Sequence, residues 1–420
     1  MQRGILEIKD IGISSAEDEK VRLTADVLTP DQPERTLYYE VDAAYGECLC
    51  MERSDPFVLG LLAYAMLNEY DITCKVPVSE QLYYQLTTYL IPIVSKNVPH
   101  YHHIVIRAPL ADQDIVSKGG VGTGFSGGVD SYYTVLKHLH PATPSFQLTH
   151  LLFANIGALT HISTHANQIF AEKSKRMSVM AAQLGLPLVT VDTNYLDFFG
   201  AVTVEKTGGP DALKTCSCVY ALRKLFKTYY FGSGMELERF TFSAVDPALY
   251  DILTLQTISV NSLWFYSSGA EASRMEKLEY IVDHPIVQKT LTVCADSNCN
   301  RCNKCIRTMM ELYALKKLDH FADVFDVPDF KQHLATRFAT NLARKQEYVD
   351  GYNQDTLRMA KQNHVRIPWL TKVLLLGYKP FFALKAALRD NDRVRKLYYR
   401  FNLDKKLYGD TAVKQRRTDL

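Results

Sequence analysis

The sequence predicts an α/β protein whose middle part is a doubly wound parallel sheet. Strand-like and helix-like segments alternate between residues 121 and 330. A continuous apolar segment at 149–156 is typical of a buried parallel strand. A glycine-rich turn follows the first strand of this series, and ligands bind outside the carboxyl ends of the strands in such sheets. We therefore expect the functional site at that edge.

Residues 1–115 are predicted to form a small α+β domain. Alternating apolar and polar residues predict three strands before residue 45, with a break in phase between Ile8 and Ile11. Asp55, as the N-cap, and Pro56 begin a helix, and a further strand is expected over 101–107. Neighbouring histidines lack a cysteine or acidic cluster and are interpreted as solvated rather than metal-ligating: His100, His102 and His103.

Residues 116–330 are predicted to form the second domain. Its strands are expected at 121–125, 149–156, 186–191 and 239–244, and its helices at 132–140, 167–184 and 212–231. The order strand, helix, strand is what a parallel sheet with crossover helices requires. Because the glycine-rich turn follows the first of these strands, this domain is expected to carry the ligand-binding site.

Residues 331–420 form a third, helical and basic region. They contain 20 Lys and Arg against 8 Asp and Glu, whereas the rest of the chain has 28 against 38. Such asymmetry is typical of a surface for an anionic partner, including nucleic acid, and equally of a basic tail on the protein's own acidic body. The apolar runs within it could lie on a membrane surface; packing on the preceding domain is the interpretation we favour.

The composition is that of a globular protein, with 47% hydrophobic and 22% charged residues. No apolar run has the length of a membrane span, and the N-terminal residues lack the apolar region of a signal peptide. The chain has nine cysteines. Without a secretion signal, these indicate thiols or metal ligands rather than disulfides, which predicts a cytoplasmic protein.

The first candidate site is the glycine-rich turn itself, which consists of Ser126, Gly127, Gly128, Val129, Asp130 and Ser131. The two glycines permit a tight turn and a close approach of a ligand, and the following helix offers unpaired N–H groups to an anion. The two serines add hydroxyl donors. The aspartate would repel a bare phosphate and is best explained as a partner of Mg²⁺ bridging phosphates. The segment is neither a Walker A loop nor a GxGxxG fingerprint.

Four cysteines form the second candidate site: Cys294, Cys299, Cys302 and Cys305. Their spacing lets four sulfurs converge on one tetrahedral ion, for which Zn²⁺ is the usual occupant. A site with four protein ligands has no open position, so the metal would be structural. An iron–sulfur cluster and four buried free thiols are the alternatives.

The residues SGGVDS resemble the pyrophosphate loop of the PP-loop ATP pyrophosphatases, which have an adenine nucleotide alpha hydrolase-like (HUP) fold. Together with the four cysteines and Arg307 after them, they resemble the 7-cyano-7-deazaguanine synthase branch over about residues 118–318. The resemblance implies that residues 126–131 bind ATP. The N-terminal domain and the basic C-terminal region have no counterpart in that branch, and its substrate-pocket sequences are missing. The acceptor is therefore unassigned.

The resemblance further implies an AMP-forming ligase reaction. A carboxylate or amide oxygen of a small-molecule, nucleobase or peptide acceptor would attack the α-phosphorus of ATP, and an amine or ammonia would then attack the activated carbon. Asp130 would meet the magnesium, and Arg274 and Lys277 would neutralise the leaving pyrophosphate. The alternative for these cations is an exposed helix with ion pairs to Glu271 at spacings of three.

Cys216 and Cys218 indicate a second function, because PP-loop thiolases deliver sulfur with a pair of redox-active cysteines. Two thiols near a helix start would suit a tRNA or nucleobase sulfurtransferase. Small buried residues are the plainer interpretation of this pair. A nucleotide sensor or scaffold without turnover is the third hypothesis, and the intact Ser126 and Asp130 argue against it.

Overall fold

The computed structural model describes residues 3–157, 163–198, 211–244, 246–294, 297–343 and 349–389. Its strands within these ranges are β1 Gly4–Ala16, β2 Lys20–Thr29, β3 Gln32–Asp42, β4 Tyr70–Cys74, β5 Val78–Ser79, β6 Ile106–Arg107, β7 Leu110–Ala111, β8 Gly120–Gly124, β9 His150–Ala154, β10 Leu188–Thr193, β11 Phe226–Gly232 and β12 Trp264–Ser268. Its α-helices are α1 Asp55–Asn68, α2 Glu80–Gln85, α3 Ile91–Asn97, α4 Val129–Leu139, α5 Ser163–Gln183, α6 Asp211–Ala221, α7 Asp251–Ile258, α8 Arg274–Ile281, α9 Pro285–Thr290, α10 Asn303–Ala314, α11 Val327–Gln332, α12 Leu334–Leu342, α13 Val349–Gln362 and α14 Trp369–Arg389.

The chain divides into two compact units. Unit 1 consists of Met1–Ser126 and Asp130–Ser273, and unit 2 of Gly127–Val129 and Arg274–Leu420. All the strands above belong to unit 1. The domain boundary that the sequence predicts at residue 115 falls inside unit 1, where strands from both sides of it join in one sheet.

A ten-stranded sheet, in the order β12-β11-β8-β9-β10-β3-β2-β1-β4-β6, forms the centre of unit 1. The five strands from β12 to β10 are parallel to one another. The pairs from β10 to β1 are antiparallel, and β1, β4 and β6 are again parallel. The predicted α/β class with a mostly parallel central sheet is confirmed at this level.

The seam between β10 and β3 is short, since only two residue pairs are in register. The side-chain amide of Asn194 extends it. Its Oδ1 accepts a hydrogen bond from the Tyr38 amide at 3.1 Å, and its Nδ2 donates to the Thr36 carbonyl at 2.8 Å. The side chain thus takes the place of a peptide group and satisfies backbone atoms of β3 that would otherwise need another partner.

Two predicted elements of the parallel part are wrong. The helix expected over 212–231 ends at Ala221, and strand β11 follows at 226–232. A strand was expected over 239–244, but Arg239 ends a short 3₁₀-helix and 240–244 are described without a strand. Strand β12 at 264–268 completes that edge instead. The segment FKTYYFG is rich in aromatic residues, which favour a buried strand. That preference outweighed the helical spacing of the apolar residues before it.

The N-terminal strands follow the predicted alternation. The break in phase corresponds to a β-bulge, because the β1–β2 register shifts between Lys9 and Gly12 and Asp10 has a φ of 52°. The strand expected over 101–107 is confined to Ile106–Arg107. The three nearby histidines are exposed, as predicted.

One hydrophobic core in unit 1 includes residues of β1 to β4, of α1 and of the parallel strands. A buried ion pair crosses it: Nη1 of Arg223 lies 2.6 Å from Oδ2 of Asp55, whose side chain is fully buried. Ser79 also donates to Asp55. The predicted N-cap is therefore wrong by one position, since Ser54 is the N-cap and Asp55 lies in the first turn.

The same core contains a close approach between α1 and the residues after β10. A Cβ added to Gly60 would lie 2.1 Å from the hydroxyl oxygen of Tyr195. That hydroxyl is 2.6 Å from the hydroxyl of Tyr39, which donates to the Pro56 carbonyl. Glycine at position 60 is what lets this buried hydrogen-bonded tyrosine pair fit against the helix.

Unit 2 contains the C-terminal helices from α8 onward. Helix α10 packs against α8 and α13, and α12 packs against α14. Among the described residues, we find no helix with both the length and the apolar character needed to cross a membrane.

Candidate functional site

The SGGVDS turn, residues 126–131, connects β8 to α4. The Phe125 amide donates to the Leu152 carbonyl at 2.8 Å, which keeps the chain paired with β9 up to the turn. Gly127 has a φ of 75°, a conformation that side-chain-bearing residues rarely adopt. Ser126 is exposed and its hydroxyl lies 3.4 Å from that of Ser131, which is buried. The sequence-predicted strand–turn–helix context is therefore present.

The position of this turn in the sheet is the most informative feature of the site. Counted along the chain from β8 to β12, the five parallel strands lie in the order third, second, first, fourth, fifth. The turn follows the first strand, β8. Strands β9 and β10 lie on one side of β8, and β11 and β12 lie on the other. This is a topological switch point, and α/β sheets of this kind bind ligands at such a point, outside the carboxyl ends of the strands.

The end of β11 approaches the start of α4. A Cβ added to Gly232 would lie 3.4 Å from the Asp130 carbonyl oxygen and 3.3 Å from the Thr134 hydroxyl. Within unit 2, the Thr292 amide donates to the Gly127 carbonyl at 2.8 Å. Glycine at position 232 is therefore what lets β11 lie this close to the start of α4.

Polar side chains occupy the neighbouring strand ends. Asn155 Nδ2 donates to Asp192 Oδ1 at 2.7 Å, and burial raises the pKa of Asp192. Lys214 on α6 is 2% exposed and donates to the Ile156 carbonyl at 3.0 Å, and Lys173 on α5 is 4% exposed. The sequence did not predict that either lysine is buried. The only available signal for Lys214 was a cation among the apolar residues of α6.

The two predicted catalytic cations lie on α8. Nε of Arg274 is 3.2 Å from both carboxylate oxygens of Glu311, and its Nη2 donates to the Thr308 hydroxyl at 3.0 Å. Lys277 is 1% exposed and Arg274 is 9% exposed. The alternative of an exposed helix with i,i+3 ion pairs is therefore wrong, and α8 begins only at Arg274, after Glu271.

Glu271 interacts with α4 instead. It accepts hydrogen bonds from the Tyr133 hydroxyl at 2.8 Å and from the Gly269 amide at 3.1 Å, and it pairs with Lys137. Burial alone would raise the pKa of Glu271, but the hydrogen bond from Lys137 and its other partners outweigh it and lower that pKa to about 2. Glu271 therefore stabilises the end of β12 against α4.

The four predicted metal ligands come together in unit 2. The sulfurs of Cys294, Cys299, Cys302 and Cys305 all lie within 4.8 Å of one another. The Cys294–Cys302 separation is 3.8 Å and the Cys299–Cys305 separation is 4.0 Å. Zinc–sulfur bonds of about 2.3 Å in a tetrahedron place the sulfurs about 3.8 Å apart. The cluster thus fits a zinc ion, as the sequence predicts.

Backbone amides and an asparagine order this cluster. The Cys302 amide points to the Cys299 sulfur at 3.3 Å, and Cys302 is the N-cap of α10, accepting from the Cys305 amide at 3.5 Å. Asn298 accepts from the Val293 amide at 2.9 Å. Amides that donate to the sulfurs would orient them toward a bound metal ion.

Hydrogen bonds among the sulfurs divide the thiols by acidity. Hydrogen bonds with the other three sulfurs, that with Cys294 first, lower the pKa of Cys299. Hydrogen bonds with the other three sulfurs, again that with Cys294 first, raise the pKa of Cys305. Zinc binds the deprotonated thiolate, so metal binding would release the protons that these thiols carry.

Cys216 and Cys218 lie on α6, and both are fully buried in the core of unit 1. Burial raises the pKa of both thiols well above the usual range. A sulfur-delivering thiol needs access and thiolate character, and neither is present here. The geometry favours the interpretation of this pair as small buried residues.

Comparison with known proteins gives no family for the chain: no family model, curated protein or solved structure matches it. Any assignment of function must therefore start from three features of the chain itself. These are the SGGVDS turn, the strand order around it and the four-cysteine cluster.

Proposed function

We propose that this protein is an ATP-dependent adenylating enzyme that converts ATP to AMP and pyrophosphate, resembling the 7-cyano-7-deazaguanine synthases of the PP-loop, HUP-type class. One observation carries the proposal: the SGGVDS turn follows the strand at which the sheet order reverses. Crevices at such switch points are where α/β sheets of this kind bind nucleotides.

The turn has the properties of a pyrophosphate cradle. Helix α4 is eleven residues long, which is enough for a helix dipole, and its first amides directly follow the two glycines. Gly127 turns the backbone with a positive φ, so no side chain stands between the amides and a ligand. The hydroxyls of Ser126 and Ser131 add donors. This set of donors suits three or more phosphate oxygens.

Two metals belong to the proposal. Mg²⁺ usually bridges nucleotide phosphates, and Asp130 is the carboxylate of the turn that would meet it. Zn²⁺ would be held by the four cysteine sulfurs, where it supplies structural cross-linking and no open coordination position. The proposed reaction does not require the zinc site to take part.

The reaction needs positioning and charge stabilisation rather than a side-chain nucleophile. The acceptor oxygen bonds to the α-phosphorus as the α,β-phosphoanhydride bond breaks, and the amides at the start of α4 hold the departing pyrophosphate. An amine then forms a C–N bond at the activated carbon, and the bond to AMP breaks. Arg274 and Lys277, both buried cations, are the proposed partners of the pyrophosphate charge.

Product analysis tests this proposal. Purified protein with Mg²⁺, ATP and pools of small acids, nucleobases or peptides should form AMP and pyrophosphate in equal amounts. Asp130→Asn and Ser131→Ala should each lower this turnover at least about tenfold, as loss of a charge-stabilising group does. Ser145→Ala, at an exposed residue of the short 3₁₀-helix Pro144–Phe146 before β9, is the matched control and should leave turnover unchanged.

Three outcomes would count against the proposal. ADP and phosphate as products would place the cut at the β,γ bond. ATP binding without turnover under every acceptor would favour the nucleotide sensor. Sulfur transfer that is lost in Cys216→Ser and Cys218→Ser variants would establish the sulfurtransferase alternative.

A further inference from the structure

Helix α14, at the C-terminal end of the described chain, presents apolar side chains outward. The exposed ones are Trp369 at 76%, Leu370 at 42%, Val373 at 49%, Leu376 at 79%, Phe381 at 48% and Leu384 at 60%. Single exposed apolar residues are ordinary on protein surfaces, whereas a row of them on one helix marks an interaction surface.

These residues form one face. With 3.6 residues per turn, they fall within an arc of about 140° of the helix circumference. Thr371, on the opposite side, is 2% exposed, and α14 packs against α12. The packing expected from the sequence therefore accounts for one side of the helix, and the apolar arc is a second, separate face.

The charges on α14 indicate what this face meets. The helix contains Lys372, Lys379, Lys385 and Arg389 and no acidic residue. Lys372 and Lys379 are exposed and lie at the border of the apolar arc. From residue 369 to the end, the sequence has 13 Lys and Arg against 5 Asp and Glu. An apolar face bordered by lysines matches the acyl chains and the anionic headgroups of a membrane surface.

We propose that α14 binds the surface of an anionic membrane, lying in the interface with its apolar arc toward the acyl chains. The proposal is independent of the nucleotide chemistry. A second copy of the chain fits the face less well, because two such helices would bring basic residues together without an acidic partner. Nucleic acid would use the lysines but leaves the apolar arc without a role.

Vesicle flotation with the full chain tests the proposal. The protein should float with vesicles containing about 30% phosphatidylglycerol in phosphatidylcholine and not with phosphatidylcholine alone, and binding should weaken as salt rises. The net charge of the whole chain is only +2, so a general attraction would not explain strong binding. In a Trp264→Phe variant, Trp369 is the sole remaining tryptophan, and its emission should shift to the blue on binding.

Two variants separate the apolar and the charge contributions. Val373→Glu with Leu376→Glu should lower vesicle affinity at least tenfold, since both side chains lie in the arc. Lys372→Gln with Lys379→Gln should lower it about 25-fold, from about fivefold per lysine at an anionic surface. Leu237→Glu, at a 55% exposed leucine in unit 1, and Lys96→Gln with Lys175→Gln are the matched controls and should bind like wild type.

Three results would overturn the proposal. Equal flotation with neutral vesicles would remove the requirement for anionic lipid. A dimer in light scattering that Leu376→Glu converts to a monomer, without flotation of the wild type, would make the face a self-interface. Failure to float, together with tight binding to RNA or DNA that the lysine variant abolishes, would assign the surface to nucleic acid.

Discussion

Gly127 is the residue on which the shape of the SGGVDS turn depends most directly. Its φ of 75° costs a side-chain-bearing residue about 1–2 kcal/mol. Gly127→Ala should therefore lower the free energy of unfolding by that amount and lower AMP formation at least about tenfold, because the first amides of α4 would turn away from the phosphates. Urea denaturation and the product assay measure the two effects.

Gly185→Ala is the control for this strain. Gly185 also has a positive φ, 71°, in the turn after α5, and an added Cβ would find no atom within 4 Å. Its alanine variant should lose similar stability and keep its turnover. Equal turnover in both variants would show that the turn does not cradle the phosphates.

His138 makes stability depend on pH. Its ring stacks on Tyr230 with centroids 3.6 Å apart, and Nε2 lies 3.1 Å from the Ser268 hydroxyl. Burial first, and the charge of Lys137 second, lower the pKa of His138 from 6.5 to about 4. The unfolded chain then binds the proton more readily than the native state between these two values. Stability from this group is complete above pH 6.5 and is lost as pH falls toward 4.

The measurement is the melting temperature of wild type and His138→Phe from pH 7.5 to 4. The phenyl ring keeps the stack on Tyr230 and cannot take up a proton. The variant should lose less stability than wild type across this window. Parallel pH profiles would indicate that His138 does not titrate between folded and unfolded states.

At the level of single residues, the sequence predicted the local geometry of groups whose members are close together in the chain, namely the tight glycine turn and the convergence of the four sulfurs. The turn and the four cysteines have short, recognisable spacings. Lys214 and Arg223 were beyond such reasoning, because their partners Ile156 and Asp55 are 58 and 168 residues away in sequence. A buried lysine or arginine cannot be distinguished from a surface one until its partner is known.

Among the elements, the cysteine cluster before α10 should depend on metal for its structure. We expect one zinc per chain by elemental analysis, and removal by a chelator should lower the melting temperature, since zinc binding contributes directly to folding. Cys305→Ser should lose the zinc. Cys50→Ser changes an equally buried thiol outside the cluster and should retain it. Iron and acid-labile sulfide in place of zinc would contradict this prediction and would show that the cysteines hold an iron–sulfur cluster.

Elements with a clean period were the most predictable. The burial pattern of β2 alternates strictly from Leu23 to Thr29, and that of β3 from Leu37 to Asp42. Strand β11 was mistaken for helix because it is buried on both faces and so has no period of two. Strand β11 pairs with β8 and β12, which are distant in sequence, and this pairing outweighs the helical spacing of the local apolar residues.

At the scale of the whole molecule, the sequence predicted a separate N-terminal domain, and the structure joins its strands to the parallel ones in one sheet and one core. The joining pair, β10 and β3, lies about 150 residues apart in sequence, so no local composition could reveal it. The change of strand direction at that seam is the structural mark of the boundary.

Truncation of residues 1–115 should therefore prevent unit 1 from folding. It would expose the apolar core face of the parallel strands and leave Arg223 buried without its carboxylate. Loss of that partner alone, in Asp55→Ala, should cost about 3–5 kcal/mol in unfolding free energy. Soluble expression of 116–420 with a cooperative melting transition would show that the parallel part is autonomous.

The contact between Gly60 and Tyr195 has a consequence for how such chains can diverge. With 2.1 Å between a Cβ at position 60 and the tyrosine hydroxyl, and 2.9 Å to two carbons of the ring, position 60 cannot gain a side chain while an aromatic ring stays at position 195. Any relative that carries alanine or a larger residue at position 60 should therefore carry a residue smaller than phenylalanine at position 195. The replacement of Tyr195 should have come first, and this order would be readable from the ancestry of the chain.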